Sequence, residues 1–290
     1  MEDRDTILKH LAERKLHGCE RTFANVYLWA RFYNEGWAEI EGTAVFRTGQ
    51  EGAYSYTYPI GAGDRKKVVE MLMEDAKEKG YPFQLHAVSK GEMEELENYF
   101  PGKFNVEWPR DLEDYVYETE KLINLSGKKY HGKKNHLNQF KAAYPDWKYE
   151  TITDENVEEC FQMALSWRNH NGCEDDPEKN QEMCVALNSL RLFKELHLKG
   201  GLLRVNGKVV AYTLGEPVSD DTFVVHIEKA YADIRGAYTM INQQFLEHEV
   251  KDYTYVNREE DTGDEGLRTA KLSYRPVFMV EKGIVTLKGE

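Results

Sequence analysis

Apolar and polar residues alternate most regularly in the second half of the chain. Residues 201–216, GLLRVNGKVVAYTLGE, form two β-rich runs around Asn206-Gly207. That dipeptide readily takes the two positive φ angles of a tight turn, so the stretch predicts a hairpin. A third strand is expected over 222–229, then a helix over 236–250, a strand over 253–257, a helix from about Glu265 and closing strands within 276–287. The first half repeats this order in different letters. Residues 37–40 and 43–47 flank Glu41-Gly42 as a second hairpin, and 54–60 alternates as a third strand. A helix then opens at Asp64, whose side chain can cap the first turn. It carries Val68, Val69, Leu72, Met73 and Ala76 on one apolar face and ends at Gly80. Residues 83–88 read as strand, 90–99 as helix and 104–108 as strand. The economical reading is two copies of one α/β unit, each a mixed β-sheet flanked by helices, over about residues 1–118 and 119–290.

Composition agrees with two ordinary domains, because 290 residues with 41% hydrophobic content can supply two cores. Lys plus Arg is 38 and Asp plus Glu is 51, a net charge of −13 that disfavours indiscriminate binding to nucleic acid or anionic membrane. A polyanion site must therefore be a local patch. The start, MEDRDTILKH, has no basic region followed by an apolar core, and no apolar run approaches the roughly 18 residues of a spanning helix. A cytoplasmic protein without a transmembrane segment is expected. Cys19, Cys160, Cys173 and Cys184 form no C-x-x-C pair and no zinc spacing with the nine His, so idle thiols and no metal are expected.

Two charged stretches stand out against this background. Residues 121–141, KLINLSGKKYHGKKNHLNQFK, carry Lys121, Lys128, Lys129, Lys133, Lys134 and Lys141 and no acid. With Tyr130, His131, His136 and Phe140 interleaved, they read as a helix that grips phosphates through Lys133, Lys134, Asn135 and His136, or as a solvated connecting helix. Residues 255–276, YVNREEDTGDEGLRTAKLSYRP, put five carboxylates between Glu259 and Glu265 before Arg268, Lys271 and Arg275 arrive. Helical spacing places Arg268 and Lys271 on one face, where a cation can meet an oxyanion or a phosphate. The plainer alternative is a solvated helix whose cations pair locally. His226 and Glu228 share one side of their strand, so one can orient the other as a general base, or the two can form a core pair. Trp167, Arg168 and His170 are further candidates for the same cleft.

The motif N-x-x-x-D-x-G-x-x-G-L-R-x-A-K-x-S-Y-x-P, from Asn257 to Pro276, resembles the signature of the phosphatidylglycerol lysyltransferase C-terminal-domain family, relatives of the Fem-type aminoacyl transferases. Residues 127–140 and 226–238 extend the likeness. The resemblance implies tandem GNAT-like acyltransferase domains and transfer of an acyl or aminoacyl group to an amine or hydroxyl. It further implies a donor that is acyl-CoA or aminoacyl-tRNA. Asp261, Arg268 and Lys271 fall on the motif's positions, with Lys271 as the expected polarising group and Asn257 and Tyr274 beside it. Acetyltransferases shape the pyrophosphate loop as Q/R-x-x-G-x-G/A. With Gly236 as its first glycine, Asp233 and Tyr238 depart from that pattern, although Arg235 can serve an anion. Weak or absent acetyl-CoA binding is expected. The other possibility is a non-catalytic protein that uses the fold to hold a phosphorylated ligand.

Overall fold

Both two-residue turns form as the sequence predicts. Glu41 and Gly42 take φ of 48° and 75°, and Ile40 faces Thr43 across them; Asn206 and Gly207 take 49° and 75° between Val205 and Lys208. The computed structural model describes residues 1–13 and 16–289. The chain divides into two compact units. One is Met1–Tyr115 with Glu260–Arg268 and Met279–Glu290, and the other is Val116–Glu259 with Thr269–Phe278.

The first unit opens with helices α1 (Arg4–Leu11) and α2 (Phe23–Tyr33), then the meander β1 (Gly36–Ile40), β2 (Thr43–Gln50) and β3 (Ala53–Thr57) with the short β4 (Ile60–Gly61). Helix α3 (Arg65–Lys79) follows. Its N-terminus is capped by Asp64 accepting from the Lys67 N–H at 3.1 Å, and Gly80 ends it at φ 74°. Its apolar face buries Val68, Val69, Leu72 and Ala76 against Tyr58 and Leu85. Strand β5 (Gln84–Val88), helix α4 (Lys90–Tyr99) and strand β6 (Phe104–Glu107) come next. The Ser89 hydroxyl accepts from Glu92 N–H while Glu92 reaches back to Ser89 N–H, a reciprocal cap that fixes where α4 begins.

The second unit holds β7 (Asp114–Glu118) from Val116 onward, α5 (Thr119–Asn124), α6 (His131–Ala143), β8 (Lys148–Thr151), α7 (Val157–His170) and α8 (Pro177–Arg191). Then come β9 (Lys199–Val205), β10 (Lys208–Pro217), β11 (Thr222–Ala230), α9 (Ala237–Phe245) with a π-turn over Leu246–Val250 and β12 (Tyr255–Asn257), followed by α10 (Glu265–Leu272) and β13 (Phe278–Val280), which the second unit holds only from Thr269 to Phe278. Helix α9 buries Met240, Ile241 and Phe245 and packs on β9, β10 and β11.

The last strand, β14 (Gly283–Leu287), differs from expectation. Rather than closing the second half, it lies antiparallel between β5 and β6, giving β1-β2-β3-β5-β14-β6 with β4 on β2. The second sheet runs β13-β7-β12-β11-β10-β9-β8. The two orders match. In each, the meander's last strand pairs in parallel with the next (β3 with β5, β11 with β12), and an antiparallel strand from far along the chain follows. Strand periodicity records which face is buried, as it does for Val285, but not which neighbour supplies the ladder. No helix among the described residues is long and apolar enough to cross a membrane.

Candidate active site

The five carboxylates between Glu259 and Glu265 do not form one acidic face. In the first unit, the Asp261 carboxylate is fully buried and accepts from Arg268 Nε at 2.9 Å, Arg268 Nη2 at 2.8 Å, Gly263 N–H at 3.0 Å and the Tyr115 hydroxyl. Arg268, with these bonds foremost, holds Asp261 well below the usual carboxylate range. Arg268 also donates to Asp111 at 2.6 Å. Asp264 caps α10 by accepting from Leu267 N–H at 2.6 Å. Asp261 and Arg268, expected in catalysis, thus fasten the loop to the start of its helix.

Glu260 belongs to a second cluster in the same unit. The Lys282 ammonium lies 2.5 Å from Glu20, 2.6 Å from Asp114 and 3.1 Å from Glu260, and donates to Cys19 Sγ at 3.4 Å. Burial works against that charge, yet Asp114 and its neighbours hold Lys282 well above the usual lysine range. Burial likewise pushes Asp114 up, whereas Glu260, against its own burial, is drawn down by Lys282. Cys19, Asp114 and Glu260 offer ligand atoms within 4.8 Å of one another, a grouping that sequence spacing could not reveal, and the ammonium sits where a cation would.

In the second unit, Lys271 is buried and donates to the main-chain carbonyls of Arg258 at 2.8 Å and Glu259 at 3.1 Å. Through these two bonds it holds the chain that leaves β12. Asn257 does the same from its buried side chain, accepting from Glu259 N–H at 2.6 Å. Between them Glu259 takes a left-handed φ of 59°, uncommon for a residue with a Cβ, and its carboxylate meets His226 Nδ1 at 2.7 Å. The other ring nitrogen meets Glu216 at 3.2 Å. Burial alone would favour neutral imidazole, but the two carboxylates outweigh it and push His226 up to about 10. A histidine so held is a cation at neutral pH and no general base. The expected His226–Glu228 partnership does not form, because Glu228 accepts instead from Arg258 Nη2 at 2.8 Å and Asn242 Nδ2 at 3.0 Å.

That second network is the uncommitted one. Arg258 lies 4.8 Å from the centroid of the Tyr274 ring, and Lys133 Nζ lies 3.8 Å from the same centroid. Two cations thus share one ring and one carboxylate, leaving a positive excess. Among the described residues Lys133 has no carboxylate or hydrogen-bond partner, and the buried Arg258 Nη1 has no acceptor. Burial, helped by the Arg258 guanidinium, pushes Lys133 down to about 8 against the pull of Glu228. The Tyr274 hydroxyl donates to Thr239 at 3.3 Å, which fixes the ring beneath both cations.

The basic stretch divides around this cluster. Successive helical residues point about 100° apart, so Lys133 turns into the cluster while Lys134 and Asn135 are exposed. His136 is half-buried and lowered by burial, Lys133 and Arg235; Arg235 itself is exposed. Lys121 pairs with Glu118, and Lys141 faces the Trp147 ring. At the start of α9, Gly236 takes φ 87°, and a Cβ there would stand 2.5 Å from the His136 carbonyl and 3.1 Å from Phe140 Cβ. Its missing side chain therefore admits helix α6. Tyr238 is partly exposed, near Trp167, whose ring carries Lys229 Nζ at 4.3 Å and whose Nε1 donates to the Ala230 carbonyl. Arg168 pairs elsewhere, with Glu174 and Asn180, and His170 bonds its own helix. Sequence reasoning missed Arg258, Asn242 and Glu182, the partner of Lys229 at 2.5 Å. Arg258 alone left a signal, as the residue next to Asn257 in the motif.

The family described as phosphatidylglycerol lysyltransferase, C-terminal, matches residues 11–285. A conserved protein of unknown function from Bacteroides thetaiotaomicron VPI-5482 is 39% identical, with a TM-score of 0.94 over 99% of this chain and 97% of that one. The C-terminal domain of a putative lysylphosphatidylglycerol synthetase from Agrobacterium fabrum is 14% identical, with a TM-score of 0.70 over 99% and 92%. L-PGS from Bacillus licheniformis is 16% identical, with a TM-score of 0.60 over 86% and 82%. The last two likenesses are of fold, the tandem GNAT-like α/β architecture with its two helix-flanked sheets. With the match running over nearly its whole length, the chain belongs to the phosphatidylglycerol lysyltransferase C-terminal family, whose members and fold point to aminoacyl- or acyl-group transfer.

Proposed function

We propose that the second unit transfers an aminoacyl group from aminoacyl-tRNA to an amine or hydroxyl acceptor, with Lys133 as the proton acceptor. The observation that carries this reading is the Lys133 ammonium at 3.8 Å from the Tyr274 ring centroid, pushed down to about 8 beside Arg258. A base works best when its pKa lies near the working pH, and among the groups of this network Lys133 is the one poised there. In the proposed step the acceptor's nitrogen or oxygen attacks the ester carbonyl of the donor, and its proton passes to Lys133. The new C–N or C–O bond forms as the bond to the tRNA ribose oxygen breaks, and Lys133 returns the proton to that departing oxygen. The positive excess of Lys133 and Arg258 suits the charge that develops on the carbonyl oxygen.

Acyl-CoA is the less favoured donor. At the N-terminus of α9, where a pyrophosphate would bind, the His136 carbonyl approaches Gly236, and Asp233 adds a carboxylate to the loop. The names of the relatives suggest a lysyl group and phosphatidylglycerol as the first donor and acceptor to assay.

Purified protein is incubated with labelled lysyl-tRNA and either phosphatidylglycerol vesicles or a panel of soluble amines. Label is expected on the acceptor, with turnover rising with pH through about 8. Lys133→Met should cut turnover by about 10²–10³-fold, within the usual range for removing a general base. Lys133→Arg should cut it too and remove the limb near pH 8. Turnover with acetyl-CoA in place of lysyl-tRNA, or micromolar acetyl-CoA affinity of about −8 kcal/mol by calorimetry, would overturn the donor assignment.

A further inference from the structure

Tyr238, in the first turn of α9, keeps 38% of its surface exposed although its polar end is turned inward. Burial raises its hydroxyl above the ordinary tyrosine value, against the Ala230 backbone and the Trp167 indole, which lie against the same oxygen. What Tyr238 offers to solvent is therefore ring carbon. Trp167 is itself fixed, because its Nε1 donates to the Ala230 carbonyl at 3.0 Å.

Helix α9 sets where this ring stands. Residues four apart lie on one helical face, so Tyr238 shares a face with Asn242, whose Nδ2 donates to Glu228 at 3.0 Å. Glu228 is the carboxylate that also accepts from Arg258 at 2.8 Å. The residue after Tyr238, Thr239, accepts from the hydroxyl of Tyr274, the ring on which Lys133 rests. One helical turn, about 5.4 Å of rise, thus separates Tyr238 from the side chain that holds the Lys133–Arg258 network in place. The two carboxylates whose charge reaches Tyr238, Glu228 and Glu182, are both met by cations, Glu228 by Arg258 and Glu182 by Lys229 at 2.5 Å.

Paired carboxylates call for no further cation, and a phosphate placed among them would be repelled. An anchored, uncharged ring beside a reaction centre suits a neutral planar group, and every base has a face that stacks on such a ring. In an aminoacyl-tRNA the reacting ester is borne by the ribose that also bears the terminal base, so that base lies within one nucleoside of the carbonyl. The geometry points to Tyr238 as the plate on which the donor's terminal nucleobase stacks, a role that rests on aminoacyl-tRNA being the donor. Tyr238 is then a positioning residue, which sets the ester carbonyl against Lys133 and Arg258.

Calorimetry of the intact protein tests this with lysine joined by an amide to 3′-amino-3′-deoxyadenosine, set against the same molecule with hydrogen in place of the base. The parent should bind the base-bearing probe about 10–100-fold more tightly, the size of one base–aromatic stack. Tyr238→Ala, with the parent's thermal midpoint, should bind the two probes alike, whereas Tyr238→Phe and Tyr238→Trp should retain the preference. With lysyl-tRNA, Tyr238→Ala should raise KM by a similar factor and lower kcat much less, a split that a folding defect or a lost proton acceptor would not produce. Base preference without label transfer would support the plate and overturn the transfer reading; transfer without base preference would do the reverse. Equal binding of the two probes by the parent, or an undiminished preference in a folded Tyr238→Ala protein, would overturn the proposal. So would a Tyr238→Ala defect confined to the use of phosphatidylglycerol vesicles, which would assign the ring to the acceptor.

Discussion

Lys282 in the first unit and Lys133 in the second are both lysines withdrawn from solvent, and their surroundings drive them in opposite directions. Lys282 is enclosed by Glu20, Asp114 and Glu260 and held well above the usual range, so it stays charged at any working pH. Lys133 faces an aromatic ring and a guanidinium, has no carboxylate of its own, and is pushed down to about 8. Burial opposes the charge in both cases, and what differs is the number of carboxylates supplied against it. A fully compensated ammonium can only hold structure together. One left short of compensation can give up its proton, which chemistry requires.

The difference is sharpest in what loss of each lysine should do. Lys282→Met strands three carboxylates around a buried site, and denaturant unfolding should show a loss of about 3–5 kcal/mol, the usual cost of removing one partner of a buried pair. Lys133→Met removes a charge that its site disfavours, and unfolding should change by no more than about 1 kcal/mol while transfer collapses. Comparable destabilisation by both substitutions would erase the contrast.

His226 extends the comparison to pH. Its folded pKa of about 10 lies above the ordinary histidine value, so its contribution is fully present below about 6.5 and is lost as pH rises through 10. The parent should lose stability across that window, and His226→Gln should start lower and lose less. Equal slopes for the two proteins would remove His226 from the account. Asp261 works in the opposite sense. Its carboxyl lies below the usual range, so its contribution is present above about pH 4 and disappears as pH falls further. Asp261→Asn should weaken the first unit at pH 7 and flatten its acid unfolding, read from the denaturant midpoint at several pH values. The smallest effect is expected at Lys134, which is exposed beside Lys133. Lys134→Ala should alter stability by less than about 0.5 kcal/mol and leave the transfer step unchanged. A large loss of turnover there would move the site outward along α6.

What the sequence determined by itself was whatever depends on neighbours within a few residues. Asn206-Gly207 and Glu41-Gly42 bend because two consecutive positive φ angles fit them, and α3 starts and stops where Asp64 and Gly80 can satisfy its ends. The motif around Arg268 and Lys271 identified the family for the same reason, being contiguous. Tertiary structure alone decided which partner each charge meets. Asp261 is sealed by Tyr115, 146 positions away, and Lys282 reaches Cys19 across 263. Glu228 leaves His226 for Arg258 because β12 lies beside β11, and β14 enters the first sheet because a strand's alternation fits any open ladder. Local pattern fixes backbone conformation through sterics and hydrogen bonds at short range. Coulomb attraction and desolvation act through space, so the partners of Lys271, Lys133 and His226 were set only when distant segments were packed against them.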